Sequence, residues 1–208
     1  NGGETWSQLS GGLPIEDDCR IGLAISNDDP NTLFALYVDG DNLDVDDVYK
    51  TTDGGASWDG LNVHGGAEDV PDNAMGGFGW YFGEIYLNPY DNDQLIIPGV
   101  EMFQSLDGGL DWNQNVPDWW TYEVHADKHA MEWQNNNLWQ GNDGGIYLTT
   151  DGGSSWTDKT GDLSISQMYK IGVSQTDTRL IAGLQDNGTK LKSTGGSWSD
   201  EVGGDGMD

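Results

Sequence analysis

One eight-residue phrase is written three times: "TTDGGASW" at 51–58, "SLDGGLDW" at 105–112 and "TTDGGSSW" at 149–156. A shortened copy, "NGGETW", closes at Trp6, and an eroded one, "STGGSW", closes at Trp198. The closing tryptophans, including Trp58, Trp112 and Trp156, recur roughly every 40–55 residues, the length of one four-stranded blade or solenoid turn. The chemistry of the phrase is that of a turn. Two consecutive glycines supply positive φ without steric cost. The aspartates Asp53, Asp107 and Asp151 can accept hydrogen bonds from the N–H groups of their own turns. The tryptophan can cover the turn, with its indole N–H seeking an acceptor. Each feature specifies geometry and none is a nucleophile or a proton donor poised over a cleft, so the phrase is expected to be frame.

More than the phrase repeats. Each unit opens with a strand-like run: "RIGLAIS" (20–26), "YFGEIYL" (81–87), "HADKHAMEW" (125–133) and "MYKIGVS" (168–174). A polar turn, a second strand such as "LFALYV", a third strand and the box then follow. This order is a β-meander. With 32 Gly and 10 Trp the composition suits short strands and tight turns. The expected fold is all-β: a β-propeller of four-stranded antiparallel blades with box turns between strands three and four. The expected division is the end of a blade at 1–8, blades at 9–60, 61–114, 115–158 and 159–200, and the start of another at 201–208. Propellers need roughly 4–8 blades to close. About four blades, in a chain that opens on Asn1, read as a processed chain or part of a larger propeller.

Eight Lys and Arg against 36 Asp and Glu give a net charge of -28. Such a chain repels phosphate, so nucleic-acid binding is excluded as a class and an anionic membrane surface is disfavoured. An acidic excess suits solubility, salty surroundings or divalent cations. No apolar run reaches membrane-spanning length, so no membrane insertion is expected. Cys19 is the only cysteine and can form no internal disulfide.

The box S/T-x-D-G-G-x-x-W resembles the Asp-box, or BNR repeat, of sialidases, xyloglucanase-type glycoside hydrolases and sortilin-type receptors. That resemblance implies structural turns at the blade periphery, away from the functional face. A narrower likeness spans nearly the whole chain. "GWYFGEIYLNPYDNDQLIIPG", "VHADKHAMEW", "GNDGGIYLTTDGGSSWTD", "GLQDNGTKL" and "GGDGM" look like the sortilin-like propellers, labelled glycosyl hydrolases, of large secreted Bacteroidetes proteins. Those proteins often carry adhesion-type domains and a type IX secretion signal. The likeness implies a secreted or cell-surface location, with other domains of the same polypeptide as neighbours.

Function in a propeller is expected where first strands meet the axis. Strand alternation in "HADKHAMEW" puts His125, Asp127 and His129 on one face. They could bind a ligand or a metal, or form a satisfied polar network. Asp143, Asp186, Asn187 and Asp205, from "GNDGG", "LQDNG" and "GGDG", could assist or be turn residues. A three-histidine zinc site would need His64 as well. The loop "DGDNLDVDDVY" offers Asp39, Asp41, Asp44, Asp46 and Asp47, an oxygen-rich set suited to Ca²⁺ or simply a solvated acidic loop. Its spacing misses the EF-hand pattern, with Leu43 where a ligand belongs. Trp80 and Tyr81 in "GGFGWYFGE", and the "DWW" of 118–120, could stack on sugars or pack between blades.

A sialidase needs an arginine triad, and Arg20 and Arg179 are the only arginines. A xyloglucanase-type glycosidase needs two carboxylates about 5–10 Å apart across a cleft; Asp127, Glu84, Asp143, Asp186 and Asp205 are the candidates. The favoured reading is an extracellular binding or adhesion propeller whose partner is a glycan or protein. A glycoside hydrolase and a structural component of an extracellular assembly are the alternatives.

Overall fold

The computed structural model describes residues 2–15, 18–65, 69–114, 116–117, 121 and 123–206. It is all-β, with four four-stranded antiparallel sheets and one helical turn. Two compact units are distinguished: residues 1–142 with 146–159, and residues 143–145 with 160–208.

The first unit holds three sheets. In chain order these are β1 (Asp18–Ile25), β2 (Leu33–Asp39), β3 (Val45–Thr51) and β4 (Asp59–Gly60); then, after the helical turn α1 (Gly79–Phe82), β5 (Tyr86–Asn88), β6 (Asp91–Pro98), β7 (Met102–Ser105) and β8 (Asn113–Gln114); then β9 (Lys128–Gln134), β10 (Asn137–Asn142), β11 (Gly145–Thr149) and β12 (Thr157–Asp158). The second unit is the sheet β13 (Met168–Val173), β14 (Leu180–Leu184), β15 (Thr189–Lys192) and β16 (Trp198–Val202). Every sheet runs up and down in sequence order, as a meander requires.

β2 is apolar from Leu33 to Val38 and buried along its middle on both faces, so it shows no alternation. β6 shows the period of two directly. Leu95 and Ile97 join the cluster of Phe34, Leu36, Val38, Phe103 and Trp112, while Ile96 joins Met102, Met131, Trp133 and Leu138. Each such side chain, fully buried, contributes about 1.5–3 kcal/mol. Fourth strands β4, β8 and β12 are two residues long, which limits the exposed pairing edge.

The box turns join third to fourth strands. In the first box Gly54 and Gly55 take φ of 72° and 89°, conformations closed to side chains without strain. Asp53 accepts from the Ser57 amide at 2.9 Å and the Ser57 hydroxyl at 2.6 Å. Thr51 donates its hydroxyl to Asp53 at 2.8 Å and accepts from the Gly55 amide at 3.1 Å. The indole N–H closes the turn on the second glycine's carbonyl: Trp58 on Gly55, Trp112 on Gly109 and Trp156 on Gly153, at 3.3, 3.0 and 3.1 Å. Trp6 repeats the bond on Gly3 at 3.0 Å. The aspartate and indole bonds thus close the turn on itself, and the Gly54 and Gly108 amides tie it to the carbonyls of Asn31 and Asp93.

Two predicted strands differ. "YFGEIYL" is not one strand: residues 79–82 make α1, and the strand begins at Tyr86. The turn is held from outside by the Gly79 amide on the Leu43 carbonyl (2.6 Å) and by Arg20, whose guanidinium donates to the carbonyls of Trp80 (3.2 Å) and Tyr81 (2.6 Å). Tertiary hydrogen bonds here override a β-like sequence. "HADKHAMEW" becomes a strand only at Lys128. Asp127 stands at φ 61°, and the register against β10 shifts between Lys128 and Ala130, leaving His129 as the extra residue of a bulge. The expected alternation of His125, Asp127 and His129 therefore fails.

Candidate functional site

In the first unit, β1 and residues 83–87 border a groove of about 450 Å³. At one end Arg20 and Glu84 pair at 3.1 Å. Tyr86 donates its hydroxyl to the other oxygen of Glu84 at 2.6 Å. Burial, then this bond to Glu84, pushes the Tyr86 hydroxyl up from its ordinary value. Both oxygens of Glu84 are thus engaged, and among the described residues Glu84 is the only carboxylate lining the groove. Along the rest of the groove Ile21, Leu23 and Ile25 leave 48%, 68% and 55% of their surface exposed.

Beside it lies an aromatic ledge on and just before α1. Phe78, Trp80 and Tyr81 are each about half exposed (49%, 53% and 54%), while Phe82 is buried. The ring of Trp80 lies 5.7 Å from that of Tyr81. His129 braces the ledge, edge-on to Tyr81 at 5.3 Å and stacked on Phe82 at 5.4 Å. The structure therefore brings the predicted ligand residues Trp80, Tyr81 and His129 together. The "DWW" at 118–120 lies outside the described residues.

His125 and Asp127 are placed by main-chain bonds. His125 Nδ1 faces the Ala126 carbonyl at 3.2 Å, and its own carbonyl accepts from the Asn142 amide group at 3.2 Å. The Asp127 amide donates to the Val100 carbonyl at 3.3 Å. Next to them Lys128 is fully buried, bonded to the Val100 carbonyl at 2.7 Å and to Glu101 at 3.4 Å. Burial pushes the Lys128 ammonium down; the Glu101 charge opposes this. His64 faces the carbonyls of Val70 and Val45. Among the described residues no group of three metal-ligating side chains includes a histidine.

The acidic loop spends most of its carboxylates on backbone. Asp39 accepts from the amides of Asp41 and Asn42, both at 2.8 Å. Asp44, 1% exposed, accepts from Val45 and Met75 at 2.9 Å and from Gly77 at 3.2 Å. Asp47 accepts from Val48, Asn62 and Val63. Asp46 is pushed up by burial and then by the charges of Asp47 and Asp39. No three of Asp39, Asp41, Asp44 and Asp46 bring their oxygens within 4.8 Å of one another.

In the second unit, Asn187 donates to the carbonyls of Asp143 (3.2 Å) and Gln185 (3.1 Å). The Asp186 amide donates to the carboxylate of Asp205 at 3.0 Å. The bond to Gln185 is local to the turn, whereas those between Asn187 and Asp143 and between Asp186 and Asp205 join residues distant in sequence. Partial burial and the charges of Asp205, Asp186 and Asp143 push the Tyr169 hydroxyl up.

Sequence reasoning missed two residues of the groove. Arg20 entered it as one arginine too few for a triad, and Tyr86 did not enter it. The available signal was their place: both stand on first strands of adjacent repeats, beside Gly22 and Gly83. An added Cβ on Gly22 would lie 2.8 Å from the Gly83 carbonyl oxygen, so only glycine admits this approach.

No protein family and no curated protein matches the sequence. Solved structures do. The chain is similar to the GH74 enzyme of Niastella koreensis, with 17% identity and a TM-score of 0.51 over 88% of this chain and 30% of that one. It is similar to the GH74 xyloglucanase of Xanthomonas campestris, with 14% identity and a TM-score of 0.51 over 89% of this chain and 32% of that one. YCF48 from Cyanidioschyzon merolae aligns with 17% identity and a TM-score of 0.47, over 92% of this chain and 58% of that one. The two GH74 likenesses show the β-propeller fold. The chain spans about a third of the length of the GH74 enzymes it resembles. Among the described residues no helix is long and apolar enough to cross a membrane.

Proposed function

We propose that this chain is a binding module of a larger secreted or cell-surface protein, and that its ledge of Phe78, Trp80 and Tyr81 holds a glycan. One observation carries the reading. Three aromatic side chains from four consecutive positions stand half exposed, on a backbone fixed by Arg20 and braced by His129. Exposed aromatic surface of this kind is unfavourable in water and is rewarded by a partner. The C–H faces of a pyranose stack on such rings, and the polar rim supplies hydrogen bonds.

Binding rather than hydrolysis is supported by the groove beside the ledge. Glycoside cleavage takes a general acid and a second carboxylate. Glu84 has no carboxylate partner among the groove residues, and both of its oxygens are already bonded.

Affinity electrophoresis through gels containing xyloglucan, β-glucan, mannan or chitosan tests the reading, with a reducing-sugar assay on the same polysaccharides. The expected result is retardation by at least one gel, lost in Trp80→Ala and Tyr81→Ala, without release of reducing ends. Steady release of reducing ends would make the chain a hydrolase. Retardation by none, with the protein folded, would remove the glycan reading.

A further inference from the structure

We propose that Arg20 is the positioning residue of the aromatic ledge: it caps α1 from a strand of another repeat and keeps the rings in one arrangement, without itself touching the glycan. The consequence for binding rests on the glycan reading. The order of the ledge does not.

α1 cannot hold itself. It is one turn of four residues, far below the roughly 12–15 at which a helix stands alone. Three of the four are aromatic and favour strands. Phe78, at its N-cap, makes no side-chain cap bond. The last carbonyls of a helix have no partner within it, and here those of Trp80 and Tyr81 are taken by Arg20. Its Nη1 donates to Trp80 at 3.2 Å and to Tyr81 at 2.6 Å. These are the two residues whose rings stand side by side on the ledge. One guanidinium nitrogen therefore fixes both of their carbonyls, while His129 braces Tyr81 and Phe82 from the side.

The surroundings are shaped to deliver this side chain. The register of β1 against β2 shifts between Asp18 and Arg20, which leaves Cys19 as the extra residue of a bulge, and a bulge re-aims the side chains next to it. Gly83 leaves the arginine stem its path: an added Cβ there would lie 2.9 Å from the Arg20 Cδ and 2.6 Å from the Gly79 oxygen. The other end of the guanidinium is locked. Nη2 donates to one oxygen of Glu84 at 3.1 Å, and Tyr86 donates to the other at 2.6 Å. A rigid planar fork can serve a carboxylate and two carbonyls together, which the point charge of a lysine on its flexible stem does not. Rings ordered before binding avoid the cost of being ordered by it. Affinity thus depends on Arg20 through the rings, since its Nη1 is spent on backbone.

The test uses the full chain, ¹⁵N-labelled, as wild type, Arg20→Lys and Arg20→Ala. Amide exchange at Phe82 and Gly83, which donate to Phe78 at 2.9 Å and Gly79 at 2.8 Å, reports the closed turn. Exchange at Ala35 and Leu36 in β2 reports opening of the whole blade. Both variants are expected to exchange at least about 10-fold faster at Phe82 and Gly83, with β2 unchanged. Millimolar ethylguanidinium is expected to restore slow exchange to Arg20→Ala, and ethylammonium at the same concentration is not. In gels of xyloglucan, β-glucan, mannan and chitosan, retardation is expected to fall in both variants and to return to Arg20→Ala with ethylguanidinium. Wild-type exchange in both variants overturns the proposal. Equal acceleration in β2 also overturns it, because Arg20 would then hold the blade rather than the ledge. So does lost retardation with wild-type exchange, which would make Arg20 a contact of the glycan. Retardation of the wild type by none of the gels removes the glycan reading, and the exchange comparison alone then decides the proposal.

Discussion

Replacing Asp44 separates a carboxylate that builds a turn from one that waits for an ion. Its side chain is 1% exposed and accepts three backbone amides, those of Val45, Met75 and Gly77, at 2.9, 2.9 and 3.2 Å. Met75 and Val45 are themselves buried. Asp44→Ala leaves two buried donors and a third, part-buried one without an acceptor. At about 1–3 kcal/mol for each buried donor, the expected cost is about 3–6 kcal/mol. Asp44→Asn keeps Oδ1, and with it the amides of Val45 and Met75, and loses the bond to Gly77 for about 1 kcal/mol. Asp41 is exposed, and Asp41→Ala is expected to stay within about 0.5 kcal/mol of wild type. The assay is urea unfolding by circular dichroism, run in EDTA and again in millimolar Ca²⁺, with the same differences expected in both. A cost below about 1 kcal/mol for Asp44→Ala would refute the reasoning. So would equal costs for Ala and Asn, or a calcium-dependent cost.

Three further outcomes are expected. Hydrogen bonds from the Ser57 hydroxyl and amide, then from Thr51, lower Asp53 from an ordinary 3.8 to about 2. A depressed folded value stabilises above the unfolded value and loses that stabilisation as pH falls; urea midpoints should therefore drop between about pH 4 and about 2, and Asp53→Asn should be less stable at pH 7 yet converge on wild type near pH 2. Lys128→Met takes the buried ammonium from the Val100 carbonyl and from the 14%-exposed Glu101, and should cost about 3–5 kcal/mol by urea unfolding, with part of it recovered in Lys128→Met/Glu101→Leu. Gly22→Ala sets a Cβ 2.8 Å from the Gly83 oxygen and 2.9 Å from the Glu84 Cα, both backbone, and should cost about 1–3 kcal/mol in the same assay.

The fold was legible where one residue type does one local job. Consecutive glycines, an aspartate and a tryptophan at fixed spacing mark a turn closed by the aspartate and indole bonds within eight residues, and the predicted turns stand between third and fourth strands. The apolar run of β2 was legible for a similar reason, since burial on both faces leaves no alternation to misread. What failed depended on distant partners. The sequence 79–82 favours a strand by composition, and it is turned into a helix by bonds from Leu43 and Arg20, about 40 and 60 positions away in sequence. The periodicity argument at His125, Asp127 and His129 assumed an unbroken strand, and one bulge at Lys128–Ala130 breaks the parity. The candidate site was half legible. Trp80 and Tyr81, singled out from the sequence, stand exposed side by side, but the Arg20–Glu84–Tyr86 cluster beside them joins two repeats and leaves no pattern in either alone.

The most direct measurement is a paired comparison of a frame residue and a ledge residue, Trp156→Phe against Trp80→Ala, each assayed for gel retardation and for its urea midpoint. Trp156 donates to the Gly153 carbonyl inside a box, whereas Trp80 stands 53% exposed on the ledge. The expected result is a lowered midpoint with unchanged retardation for Trp156→Phe, and lost retardation at an unchanged midpoint for Trp80→Ala. Lost retardation in a stably folded Trp156→Phe, with Trp80→Ala behaving as wild type, would place the working surface in the repeated phrase and contradict the account.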